Sequence, residues 1–252
     1  MQPKTVFLLV HGFGGSSWWW DPLVSVLEKS GRVVAVDLPG HGQASWNGES
    51  LADMADQVFD ALCLSRDEMV FGFSSSFGGL VMLKLWQKHP DIFSRMVFAG
   101  ALPRFTATVD FPAGLTSGKI DKLSGQLKGD RAAVMGMFFR SLFTSQERLS
   151  SRYESVKALW QMTPVPTLVT LEGFLMILAA EDLRDVMARV RVPVQMILGD
   201  ADPICPLVLA APLKELCPAL RVEVMKGCGH FPFLSQPQVF IKLVEGIPLV
   251  CP

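Results

Sequence analysis

GFSSSFGG, residues 72–79, places three serines between glycines at the end of the apolar run MVFGF, 69–73. A serine becomes a useful nucleophile where a strand turns sharply into a helix, because the strained turn exposes its hydroxyl and small neighbours let strand and helix approach closely. With Ser76 as the nucleophile, Gly78 and Gly79 follow and Ser74 fills the position two residues before. With Ser74 instead, the position two residues on is Ser76 rather than glycine. The spacing favours Ser76 and leaves Ser74 as the alternative; a serine-rich loop without chemistry is the third reading. The first two require the strand at 69–73 to turn sharply into a helix opening near 78.

The rest of the chain repeats that unit. Short apolar runs occur at 5–10, 32–38, 69–73, 96–101, 193–199 and 221–226, and amphipathic stretches at roughly 20–29, 49–63, 78–88 and 237–245 lie between or after them. Runs that are apolar on both faces are what parallel strands covered by helices require, so the class is α/β, a mostly parallel sheet with helices on both faces. Between about 104 and 185 no strand pattern appears. The stretches MGMFFRSLF, SSRYESVKALWQM and TLEGFLMILAA there have helical spacing, with breaks at Pro164 and Pro166. The expected organisation is a core of residues 1–103 and 186–252 with a helical cap, 104–185, inserted over the strand C-termini, where open α/β sheets bind ligands.

Composition narrows the function classes. The 252-residue chain is half hydrophobic with a formal net charge of −1, enough apolar surface for one large core and no whole-chain basic footprint for nucleic acid. Its first apolar run is far too short for a membrane span and meets His11 too soon for a signal peptide, so a cytoplasmic protein is expected. The five cysteines, Cys63, Cys205, Cys217, Cys228 and Cys251, are scattered and lack CxxC spacing. Reduced, mostly buried thiols are expected, with no metal site and no cofactor.

Three further motifs sit where catalysis by Ser76 would need them. HGFGG, 11–15, follows the first strand; a glycine-rich turn there leaves backbone N–H groups free to face a developing oxyanion, and the amides of Phe13 and Phe77 are the expected donors. GDADPICP, 199–206, offers Asp200 and Asp202, and GCGHFPF, 227–233, offers His230. Of the four histidines, His11 lies in the oxyanion loop, His41 in DLPGHG, and His89 in QKHP at a helix end, where a cation suits the dipole. Only His230 follows the acid, giving the order Ser, Asp, His, each at the C-terminal end of a strand.

With these motifs the chain resembles the α/β-hydrolase superfamily from about residue 5 to 246, and within it the pimeloyl-acyl-carrier-protein methyl ester esterases of biotin synthesis. VHGFGGSSWWW, SFGGLV, LEGFLMILAAEDLRD and GCGHFPFLSQPQVF carry the likeness. It departs from the family at Ser74, where glycine is usual, and at Ala44, where the loop after DLPGHG often has serine. The resemblance implies a serine esterase with Ser76 as nucleophile, His230 as base and Asp202 rather than Asp200 as acid. Cap arginines of the family engage the acidic carrier protein; here Arg140, Arg148, Arg152 and Lys157 stand against Glu147 and Glu154. Arg148, Arg152 and Lys157 are the docking candidates, though a solvated helix face explains the same charges. Trp20, Phe138, Phe139 and Phe143 are expected along an acyl path, with ordinary packing as the competing reading, and Arg140 is expected to meet a polar end of the substrate. The expected partner is a small or carrier-bound acyl ester, and a monomer is expected. The competing readings are a broad short-chain carboxylesterase, a carbon–carbon bond or lactone hydrolase, and a ligand receptor on the same fold.

Overall fold

The computed structural model describes residues 3–245, so Cys251 and the outermost residues of the expected core lie outside them. Six strands form one parallel sheet: β1 (Lys4–Val10), β2 (Arg32–Val36), β3 (Glu68–Ser75), β4 (Phe93–Ala99), β5 (Val194–Gly199) and β6 (Leu220–Met225), in the spatial order β2-β1-β3-β4-β5-β6. Each of the six apolar runs is a strand. The central ones are covered on both faces; all six residues of β5 and the last six of β3 are buried, which is why their sequences do not alternate. The register sets Val10 beside Ser74 and Ser75 beside Ala99, so β1, β3 and β4 end together.

Helices α1 (Asp21–Leu27), α2 (Leu51–Leu62) and α3 (Gly78–Lys88) connect the first strands. The start of α2 is written locally: Ser50 accepts the Asp53 N–H while the Asp53 carboxylate accepts the Ser50 N–H, a capping box that satisfies two donors at the helix end. After β4 a non-helical stretch with two isolated bridges, Thr106–Leu115 and Thr108–Phe111, leads into the helices α4 (Ser117–Leu127), α5 (Arg131–Ser141), α6 (Ser151–Met162), α7 (Leu168–Ala180) and α8 (Arg184–Met187), before β5 resumes the sheet. Helices α9 (Ala210–Leu216), α10 (Pro232–Ser235) and α11 (Pro237–Glu245) follow in the second half.

Two apolar cores lie on opposite faces of the sheet. One packs α2, α3 and α7 against Val6, Leu8 and Val10; the other packs Trp19, Trp20, Phe231, Phe233 and Phe240 against Phe7, Leu9 and Phe73. The ends of the helical segment are drawn together where it leaves the core: the Leu183 N–H donates to the Pro103 carbonyl, and Asp182 bridges Arg104 and Arg184. Among the described residues no helix is long and apolar enough to cross a membrane.

Candidate active site

The three serines are separated by backbone geometry. Ser74 and Ser75 belong to β3, paired with Phe98 and Ala99 of β4. Ser74 is fully buried with its hydroxyl donating to the Val97 carbonyl, and the Ser75 hydroxyl is buried with no partner. Ser76 alone occupies the turn, at φ +51°, a left-handed conformation that costs a non-glycine residue energy and persists only where its surroundings impose it. The surroundings are close: a Cβ on Gly78 would lie 2.5 Å from the His11 carbonyl oxygen, and one on Gly79 would lie 2.7 Å from the Ala101 Cβ. Both glycines are therefore needed to let α3 start against the ends of β1 and β4.

The oxyanion loop is held by two buried histidines. His11 Nδ1–H donates to the Gly12 carbonyl and its Nε2 accepts the Leu38 N–H; His41 Nδ1–H donates to the Pro39 carbonyl and its Nε2 accepts the Gly14 N–H. Each ring uses one donor and one acceptor nitrogen, which only the neutral imidazole provides. Burial pushes His11 down to about 4, and burial together with the neighbouring His11 pushes His41 down to about 3. His11 thus ties its own loop to the chain that follows β2. That His41 joins the same two segments was hidden in the sequence, because its contact spans 27 residues. The hydrogen bonds that tie this corner run from Gly15 to Gly12, Ser76 to Ala99, Gly79 to Ser76 and Leu80 to Phe77. None of them uses the N–H of Phe13 or of Phe77.

Asp202 and His230 form a buried pair. His230 Nδ1–H lies 2.9 and 2.8 Å from the two oxygens of Asp202. Asp202 Oδ1 also accepts the N–H groups of Ile204 and Cys205, so the carboxylate is fixed by its own loop. Asp200 plays a separate part, with its Oδ1 accepting the Gly227 N–H at 2.7 Å and so joining the acid loop to the histidine loop. Gly100 separates serine from histidine. The Ser76 N–H donates to Ala99, while a Cβ on Gly100 would lie 3.0 Å from His230 Nδ1. Asp202, Cys205 and His230 offer ligand atoms within 4.8 Å of one another. The donor set does not fit a metal, since Asp202 and His230 are committed to each other and the Cys205 thiol donates to the Gly100 carbonyl, its pKa driven well up by burial.

Ser76 opens on a cavity of about 280 Å³. Phe13 lines it from the oxyanion loop, Ile120 and Leu123 from α4, Phe138 from α5, Leu175 and Leu178 from α7, and Pro203 and Ile204 from the acid loop; Lys119 and Ser141 are its polar side chains besides Ser76. Phe13 meets Phe138 edge to face, with centroids 5.6 Å apart. Such a space suits an apolar acyl chain of modest length.

The other expected contact residues lie elsewhere. Trp20 is fully buried and stacks on Phe233 at 4.4 Å, Phe139 stacks on Trp160 at 5.0 Å, and Phe143 packs edge to face on Tyr153. None of the three is among the cavity's lining residues; their aromatic area joins α5 and α6 to the second core. Arg140 is exposed and does not line the cavity. Arg148 caps the Phe143 carbonyl, Arg152 donates to the Leu234 carbonyl at 2.9 Å, and Lys157 pairs with Glu154. Reading these cations only by sign missed the bonds of Arg148 and Arg152 to backbone carbonyls, which no local pattern announces. Leu175, which does line the cavity, carried no sequence signal beyond helical spacing, and Lys119 lies on α4, a helix the sequence reading did not pick out.

The sequence profile of the alpha/beta hydrolase family matches residues 7–243. The chain belongs to that family. It is 32% identical over 249 residues to a pimeloyl-[acyl-carrier protein] methyl ester esterase of Aromatoleum aromaticum, covering 95% of this chain and 96% of that protein. It is 30% identical over 241 residues to the protein of the same name from Aeromonas hydrophila, covering 94% and 93%. A solved esterase from Exiguobacterium antarcticum has the same fold, with a TM-score of 0.83 at 24% identity over 98% of this chain and 92% of that one. The likeness to esterases over nearly the whole length makes this α/β hydrolase a carboxylic ester hydrolase.

Proposed function

We propose that this α/β hydrolase is a serine esterase that removes the methyl ester from a pimeloyl chain carried on acyl carrier protein, acting in the cytoplasm in biotin precursor synthesis. The observation that carries the chemistry is the left-handed Ser76 lining an apolar cavity, its N–H held by Ala99, with the buried His230–Asp202 pair packed against the next residue, Gly100. The substrate is inferred from the names of the relatives.

Ser76 Oγ attacks the ester carbonyl carbon as His230 Nε2 takes its proton. Asp202 holds the Nδ1–H tautomer and stabilises the imidazolium, and the Phe13 and Phe77 amides take the oxyanion. The tetrahedral intermediate collapses with His230 protonating the departing methoxide oxygen, which leaves as methanol and a Ser76 acyl-enzyme. Water, deprotonated by His230, then adds to the acyl carbon and frees the acid and the serine. The helical segment 104–185 serves as a cap in this reading, seating the acyl chain between α4, α5 and α7.

Demethylation of pimeloyl-carrier-protein methyl ester, compared with hydrolysis of a p-nitrophenyl ester series, tests the assignment. Ser76-dependent turnover of the carrier-bound ester is the expected result. Turnover restricted to short free esters would leave a general carboxylesterase.

A further inference from the structure

Glu147 is a carboxylate at 7% exposure in the link between α5 and α6. Its Oε2 accepts two backbone N–H groups, from Thr144 at 2.6 Å and from Gly229 at 3.0 Å, while its Oε1 is buried with no partner. A buried carboxylate with one oxygen unpaired is costly, and a well-packed apolar side chain generally stabilises a fold as well or better. Stability alone therefore does not account for a charge here. What the charge reaches is the residue before His230.

The rest of the link grips the same loop. Leu142 accepts the His230 N–H at 2.8 Å, and the Thr144 hydroxyl donates to the Gly227 carbonyl at 3.3 Å. A Cβ on Gly229 would lie 2.3 Å from the Leu142 carbonyl oxygen and 3.1 Å from Glu147 Oε2, so the two backbones touch there. His230 is thus held twice: its ring by Asp202 of the core, its main chain by residues 142–147 of the helical segment.

We propose that Glu147 is a positioning residue of the hydrolytic reaction. The two backbone N–H groups its Oε2 accepts close a clasp between the 142–147 link and the 227–230 loop, and the His230 imidazole stands correctly toward Ser76 only while that clasp is shut. The proposal rests on the Ser76–His230–Asp202 reading. Glu147 acts through the main chain of Gly229 and His230 and not on the substrate.

Steady-state kinetics on a p-nitrophenyl ester, with Ser76→Ala, Glu147→Ala and Glu147→Gln beside wild type and a thermal melt of each, separates the possibilities. Glu147→Ala is expected to lower kcat about ten-fold or more with KM within about two-fold, because a displaced base impairs the chemical step rather than binding. Glu147→Gln, whose amide oxygen still takes both N–H groups, is expected to recover kcat to within about three-fold of wild type. Wild-type kcat in Glu147→Ala, assayed well below its melting point, overturns the proposal and leaves the triad standing; so does a Glu147→Gln as slow as Glu147→Ala. Turnover retained by Ser76→Ala overturns the triad and this proposal together. Should Glu147→Ala fail to fold, Glu147→Asp, whose carboxylate stops one methylene short of the amides, is judged by the same criteria.

Discussion

A Cβ on Gly12 would lie 2.8 Å from the Cβ of Ser76 and 3.0 Å from the carbonyl oxygen of Ser75. The loop carrying Gly12 and the turn carrying Ser76 are therefore packed in direct contact. Gly12→Ala is expected to lower kcat about 100-fold by displacing Ser76 from its attacking position. Its melting temperature should fall far less than that loss of activity suggests, since only one turn must move. Kinetics and a thermal melt on one preparation check this; unchanged kcat would show that the loop yields without disturbing the serine.

The contrast between Ser74 and Ser76 makes a paired test. Ser76→Ala should cost at least about 10³-fold in kcat by removing the nucleophile. Ser74→Ala should retain most of the activity, losing about 1 kcal/mol of stability with its buried hydrogen bond to Val97. The reverse pattern would move the nucleophile to Ser74.

His11 and His41 predict an acid limit to stability. Both titrate near 6.5 in an unfolded chain, and the fold holds them at about 4 and about 3, chiefly by burial. As pH falls below 6.5 the unfolded chain binds protons that the folded protein refuses, so unfolding is favoured. The contribution is fully present above 6.5 and is lost progressively down to about 4 for His11 and about 3 for His41. Denaturant midpoints across that range should fall with acidification, and His41→Gln should flatten the slope. A slope equal to wild type in that variant would remove His41 from the effect.

Lys119 is the cationic side chain lining an otherwise mostly apolar cavity, and it lies exposed on α4. An anionic substituent on the far end of the substrate, such as a carrier's phosphate-bearing arm, would meet it. Lys119→Glu is expected to raise KM for the carrier-bound ester about ten-fold, while a small neutral ester is unaffected. Equal effects on both substrates would mean that Lys119 serves packing alone.

Arg152 gives the opposite expectation. It is half-buried, burial depresses its pKa, and its guanidinium donates to the Leu234 carbonyl. Arg152→Glu should therefore lower stability by about 1–3 kcal/mol through an unpaired carbonyl and a misplaced charge. A KM effect confined to carrier-bound ester, without loss of stability, would restore Arg152 to a docking surface.

The sheet, and the placing of Ser76, Asp202 and His230 after strand ends, were legible in the linear chain. Runs of residues apolar on both faces suit only covered strands, and the glycines after Ser76 admit no larger residue, because backbone from β1 and a side chain from beyond β4 close over them. Serine, aspartate and histidine could be read for the same local reason: each sits on a turn at the end of a strand whose pattern is continuous. Which aromatic and charged residues between β4 and β5 face the cavity was settled by packing across the folded chain. Phe138 faces it while the adjacent Phe139 stacks on Trp160, a difference made by what lies across each face of α5 and not by residue type. The roles of His41, Arg152 and Glu147 were equally out of reach, since their partners are 27, 82 and 82 residues away. Local periodicity reports which residues turn inward, whereas a hydrogen bond across such separations exists only after the chain has closed on itself.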